Sequence, residues 1–230
     1  MEHLAYFLGA WFGDAHTDLN QGKNYTILSC NDSYIPLRAA RDTVGTWSTP
    51  AIYTGNDAKG TPRFHAKWQD HPMQQWLFNT FGRTRINHTE YYKRTMMPII
   101  ESFSRPALLE FLAGLLDTDG HVAQGATKRY AYVKINGNPK KYTFFNEFPL
   151  LASKLGIEMS APWEGEVKGN FVRYYTFKTN SFLDNRAYFR LKRKMDKVHA
   201  YCRLRNLEVY QPPFNESDEF VNNITDNGAI

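Results

Sequence analysis

The chain has 230 residues, 42% of them hydrophobic, and 28 Lys and Arg against 23 Asp and Glu give a formal charge of +5. That is enough apolar material for one large core or two small ones, beneath a mildly basic surface that suits a polyanionic partner. The only cysteines, Cys30 and Cys202, fall in no CxxC or Cys/His spacing, which argues against a disulfide framework and a structural zinc site and points to a reducing interior.

The first predicted element is the apolar helix "LAYFLGAWFG", starting at Leu4. It follows Glu2 instead of a basic region and stops at Asp14 after about ten residues, too few for a bilayer, so it is read as part of the fold and not as a signal peptide. No other segment reaches membrane length, and the expected setting is intracellular. A strand follows at about Tyr25 to Cys30, then an amphipathic helix in "IPLRAARDTVGTWSTP", a strand pair "IYT" and "RFHAKW", and an apolar and basic helix "MQQWLFNTFGRTR". A second series begins with the apolar helix in "LEFLAGLLDTDGHV". It continues with a strand at about Lys128 to Asn136, the helix in "FPLLASKLGIEMSAP", the strands "WEG" and "FVRYYTFKT", and a closing helix "FLDNRAYFRLKRKM". The last stretch, "NESDEFVNNITDNGAI", is acidic and polar without periodicity and reads as a loose tail.

The two series are one pattern written twice. Gly9 aligns with Gly114 and Asp14 with Asp119 at a constant separation, and the match drifts only slightly as far as Pro50 and Pro162. The predicted architecture is therefore an α+β repeat with halves at 1–100 and 101–208 and a tail at 209–230. In the first helix Ala5, Gly9 and Gly13 recur every fourth residue, and Gly114 and Thr118 hold the same register in the second. Small residues on one face let two backbones approach closely, so the two helices are expected to pack together and bring Asp14 and Asp119 to one end.

Acids at that end are unfavourably placed. The peptide dipoles already leave partial negative charge at a helix C-terminus, and two neighbouring carboxylates repel each other. A divalent cation relieves both problems, and a small set of oxygen ligands favours Mg²⁺ over zinc, with water and substrate phosphate completing its shell. That chemistry suits phosphodiester hydrolysis.

"LAGLLDTDG" in the second half and "FLGAWFGDA" in the first resemble the two motifs of the LAGLIDADG homing endonucleases, in the single-chain, double-motif form known from intein-embedded and free-standing members. The resemblance covers about residues 4 to 205, with Ala15 where glycine is usual and Phe12 in place of the earlier acid. It implies two pseudo-two-fold-related αββαββα halves whose antiparallel sheets form a saddle over DNA. It further implies a monomeric, site-specific double-strand DNA endonuclease that uses Mg²⁺ at a long asymmetric duplex site, in an intron-homing or intein context. Asp14 and Asp119 become the catalytic and metal-binding acids, with Ala15 and Gly120 beside them at the metal. A lysine is expected in each half: Lys192 in "LKRK", and Lys93 in "KRTMMP", where Thr95 occupies the usual lysine position and Arg83, Arg85 or Arg94 are substitutes. The chain begins at its first motif and ends in "DNGAI" instead of an Asn preceded by His, so a whole intein is not expected.

Alternation predicts the DNA face. Arg63, His65 and Lys67 share one side of "RFHAKW", and Lys128, Tyr130, Tyr132, Lys134 and Asn136 share one side of "KRYAYVKIN". Lys140 and Lys141 are loop cations for which phosphate contact and solubility are equal readings. Arg173, also a DNA candidate, shares its side with Phe171, Tyr175 and Phe177. His16 and His121 each follow their acid by two residues, as water-positioning groups or as loop histidines. The competing reading is a non-catalytic nucleic-acid-binding relative, such as an intron maturase or a transcription regulator.

Overall fold

The computed structural model describes residues 1–20, 23–86, 89–124 and 131–207. The first half runs α1 (Ala5–Gly13), β1 (His16–Asn20), β2 (Lys23–Cys30), α2 (Tyr34–Thr43), β3 (Ala51–Asn56), β4 (Pro62–Trp68) and α3 (His71–Phe81), followed by the hairpin β5 (Arg83–Ile86) and β6 (Thr89–Tyr92). The second half runs α4 (Met97–Ser102), α5 (Arg105–Thr118), β7 (Gly120–Gln124), β8 (Ala131–Gly137), α6 (Phe148–Leu155), β9 (Trp163–Val167), β10 (Asn170–Phe177), α7 (Thr179–Asp184) and α8 (Lys192–Leu204). The sheets are antiparallel throughout and share one strand order, β1-β2-β4-β3 in the first and β7-β8-β10-β9 in the second. This is the expected α+β pair of halves.

α1 is apolar on every side, and Ala5 through Phe12 are all buried. A helix with no polar face has to lie inside, and α1 finds its cover in α5 and α2, with Phe7 against Trp68 of the first sheet. The two helices touch backbone to backbone. A Cβ on Gly9 would lie 2.0 Å from the Phe111 carbonyl oxygen, and one on Gly114 would lie 2.2 Å from that of Tyr6. The contact is reciprocal, as a pseudo-two-fold axis between the helices requires. Each sheet lays one face on this core, with Thr26, Leu28, Ala66 and Trp68 buried in the first and Ala131, Val133, Ile135, Tyr175 and Phe177 in the second. The opposite faces stay open.

Three predicted boundaries differ. The helix expected to run through Arg85 ends at Phe81, because Gly82 (φ 70°) turns the chain and its amide donates to Phe78 O at 3.0 Å. Arg83–Ile86 then pairs with Thr89–Tyr92 as a strand. The single closing helix expected in the second half is two, α7 and α8, separated by an irregular stretch. Ala187, Tyr188, Phe189, Arg190 and Leu191 are consecutively buried, which one stripe of a helix cannot achieve. Finally, α4 spans the boundary expected at residue 100. The expected tail lies outside the described residues.

Candidate active site and nucleic-acid interface

The α1/α5 contact continues to the helix ends, where a Cβ on Gly13 would lie 1.9 Å from Thr118 Oγ1. The next residues, Asp14 and Asp119, are the C-caps of the two helices. Their amides donate to Ala10 O and Leu115 O, each at 3.0 Å. The small-residue register therefore brings the two acids together. Burial, with the Asp14 charge second, pushes the Asp119 carboxyl up to about 7, against the opposing pull of Lys93 and Lys194.

Those two lysines are the positive charge of the site. Lys93 leaves the β5–β6 hairpin with φ 67° and donates from Nζ to the carbonyl of Ala15 at 2.5 Å, 5.4 Å above the Trp11 ring. Lys194 donates to Leu116 O (2.8 Å), Asp117 O (2.7 Å) and Gly120 O (2.6 Å). In each half, then, an ammonium group rests on the carbonyl of the residue after the acid. Burial lowers both lysines to about 8; Asp119 and Asp14 counteract the shift at Lys93, and Asp117, then Asp119 and Asp14, counteract it at Lys194. Lys192, the lysine expected in the second half, is not the one brought to the acids. Its side chain is 83% exposed and pairs with Asp196 at 2.8 Å, while Lys194 turns inward. The signal was present in the sequence: Leu191, Lys194, Met195, Val198 and Cys202 recur at three- and four-residue steps, which is the buried stripe of α8. Thr95, at the lysine position of the motif, donates instead to Glu147 Oε1 at 2.7 Å. The substitute Arg94 is exposed, and nothing is described of the side chains of Arg83 and Arg85.

Asp117, two residues before its neighbour acid, has a separate task. It is buried and accepts from Tyr6 OH (3.0 Å), Arg190 N (3.2 Å) and Leu191 N (3.1 Å), so it ties α1 and the start of α8 to α5. Burial pushes it up to about 7. Sequence reasoning missed a neighbour of Asp14 as well. The buried Cys30 donates from Sγ to Asp14 Oδ2 at 3.6 Å, and burial together with that carboxylate raises the thiol far above its ordinary value.

The two carboxylates at adjoining helix ends suit a hard divalent ion, while the main-chain carbonyls of Ala15 and Gly120 beside them are occupied by Lys93 and Lys194. Among the described residues no group of three or more His, Cys, Asp and Glu side chains converges, so an all-protein metal cage is not formed. The set fits an ion that retains water and reaches out to a substrate phosphate.

The open sheet faces flank this site. On the first, His65 faces Ser29 and Tyr53, and Lys67 faces Ile27 and Ala51. The His65 ring bonds Ser29 Oγ through Nδ1 at 2.7 Å and stacks on Tyr53 at 4.7 Å, and burial lowers its pKa. Lys67 Nζ lies 4.9 Å from the Tyr25 ring, and Arg63 is 3.9 Å from Asp57. On the second, His121 faces Lys134, and Tyr132 faces Ala123. His121 is exposed beside the site, its pKa lowered by burial and then by Lys134, and His16 occupies the matching place on β1, where it faces Ile27. Lys128 and Tyr130 lie outside the described residues.

Arg173 is corrected. It lies on the opposite, core-side face and holds Glu164 Oε1 at 2.5 Å and Asn146 Oδ1 at 2.5 Å. Lys140 also folds to that side, 4.6 Å from the Phe171 ring, and Lys141 lies over Tyr142 at 5.3 Å.

Residues 106–176 match the LAGLIDADG-like domain family, and the fold of the chain is that of the LAGLIDADG homing endonucleases. The homing endonuclease I-WcaI bound to its DNA recognition sequence is similar at 12% identity and TM-score 0.52, over 86% of this chain and 85% of that one. I-DmoI in complex with DNA and Mn is similar at 12% identity and TM-score 0.53, over 80% and 93%. Full-length DUF199/WhiA from Thermatoga maritima is similar at 14% identity and TM-score 0.51, over 99% of this chain and 66% of that one. At these identities the likeness is one of fold. No curated protein sequence matches the chain. Among the described residues no helix is long and apolar enough to cross a membrane.

Proposed function

We propose that the protein is a site-specific DNA endonuclease that acts as a monomer, with one Mg²⁺-dependent site built from both halves. The observation that carries this reading is the junction of Asp14 and Asp119 at the touching ends of α1 and α5, with Lys93 and Lys194 beside them. Asp14 and Asp119 would hold the metal, with the carbonyls of Ala15 and Gly120 reaching it only if Lys93 and Lys194 give them up. A bound divalent cation supplies an activated water and offsets charge on the departing oxygen. Lys93 and Lys194 lie close enough to the acids to stabilise charge that builds up on the attacked phosphate. The open sheet faces carry Arg63, His65, Lys67, Tyr132 and Lys134, and their placement supports a duplex lying along the two sheets with side chains in the major groove. Because the two faces carry different residues, the site read would be asymmetric.

One observation favours the second reading, a nucleic-acid binder without nuclease activity. Lys93 and Lys194 already offset part of the charge of Asp14, Asp117 and Asp119, so the cluster of acids is partly neutralised without a metal. The test is incubation of the full-length protein with a pool of random-sequence duplexes, with and without Mg²⁺. The endonuclease reading expects both strands to be cut at a restricted set of sequences, only with metal. Selective retention of duplexes that are never cut would leave the binder.

A further inference from the structure

The open face of β10 is apolar where that of its counterpart in the first sheet, β4, is charged. Trp163, on the edge strand β9, is 54% exposed, the most exposed aromatic ring among the described residues. Its ring is held in place. It lies across Gly165, where a Cβ would stand 2.2 Å from the indole, and meets the Tyr174 ring edge-on at 5.2 Å. Gly165 is therefore the residue that lets the ring lie down on the sheet. Pairing of Trp163 with Tyr174, and of Gly165 with Val172, puts Trp163, Val167, Val172 and Tyr174 on one face.

That face is also the one described beside the site. Tyr174 pairs with Asn136, Thr176 with Lys134, and Lys134 with His121, so the apolar patch runs without interruption into a polar strip that ends next to Asp119. Among the described residues this face bears no carboxylate, since Glu164 and Glu166 alternate to the other side of β9. On the first sheet, β4, the counterpart of β10, presents Arg63, His65 and Lys67, and the edge strand β3 presents Ala51, Gly55 and a Tyr53 whose ring is stacked on His65. An apolar patch of this kind on a monomer marks a contact surface, and its surroundings match a polyanion. In the major groove the apolar group that a base edge offers is the thymine 5-methyl.

We propose that Trp163 and Tyr174, with Val167 and Val172, receive thymine methyl groups in the major groove, so that the half of the target under the second sheet is chosen for thymine. This rests on the duplex-binding reading above. The ring is fixed before DNA arrives, so little freedom is lost on contact.

The test begins with duplexes recovered from a random pool by rounds of binding to the full-length protein. They are then remade with deoxyuridine for thymidine in one half at a time, which removes the methyl and keeps every hydrogen bond. The expected result is weaker binding for one half only, about fourfold for each methyl that is read, with the difference gone in Trp163→Ala. Equal affinity of thymine and uracil duplexes in both halves overturns the inference, and so does a recovered site without thymine, or a uracil penalty that persists undiminished in Trp163→Ala. If the pool yields no bound duplex, the duplex-binding reading falls and this one with it. The comparison of thymine with uracil on the unaltered protein needs no variant, so folding of Trp163→Ala does not decide it.

Discussion

The two acids occupy equivalent places, and the lysines beside them do not. Lys194 sits in the first turn of α8 and donates to three carbonyls. Lys93 sits at a left-handed residue after a hairpin, donates to one carbonyl and lies over an indole. A left-handed conformation costs a non-glycine residue roughly 1–2 kcal/mol, which the rest of the fold must offset. What repeats between the halves is the ammonium group on the carbonyl after the acid. The element that delivers it is free to differ.

The largest expected effect is at the shared acids. Asp14→Asn and Asp119→Asn should each reduce double-strand cleavage by at least about a hundredfold while duplex binding persists, as read on a plasmid carrying a recovered site. If the halves act with separate metals, one variant will nick a single strand, and strand-resolved products will show which. Next come the glycines that set the approach of the halves. Gly9→Ala or Gly114→Ala drives a methyl into a facing backbone carbonyl and should cost about 3 kcal/mol, measured by urea unfolding. A third comparison separates the lysines. Lys93→Met and Lys194→Met should each lower cleavage by about tenfold or more, whereas Lys192→Met should match the parent protein. Equal losses at Lys192 and Lys194 would rule out a special role for Lys194.

A smaller effect concerns pH. Asp117 and Asp119 have folded pKa values near 7, above their unfolded value of about 3.9. The folded state therefore binds more protons in between, and their contribution to stability is fully present below about pH 4 and lost as the pH rises through about 7. Lys93 and Lys194, held down to about 8, act in the window above it. Mg²⁺ should accordingly raise Tm more at pH 8 than at pH 6, and Asp119→Asn should remove most of that difference. The smallest effect belongs to Arg173→Ala. It removes a partly exposed pair with Glu164 and should cost no more than about 1 kcal/mol, with DNA affinity within about twofold of the parent.

Much of this was legible in the sequence, for reasons that differ by residue. Asp14 and Asp119 stood out because two copies in register, each behind a run of small residues, leave little room for coincidence. The open faces of β4 and β8 followed from strict alternation. Arg173 carried its own warning, since alternation placed it with Tyr175 and Phe177, both buried. Motif position points to Lys192, whereas helical phase favours Lys194. The β5–β6 hairpin gave no such signal. Its residues show no apolar alternation, so the route by which Lys93 enters the site could not be read locally. Nor could the partnership of Cys30 with Asp14, which depends on how β2 ends against α1.

The segment that carries Lys93 is held from the other half of the protein. Glu147 accepts from Thr95 Oγ1 and from Met96 N, each at 2.7 Å, and Thr143 Oγ1 donates to Arg94 O at 2.6 Å. The lysine beside the first acid is thus seated by residues of the second repeat. A chimera that joins residues 1–100 to a foreign second half would inherit the lysine but not its seat, unless the graft also brings a glutamate and a threonine at those places.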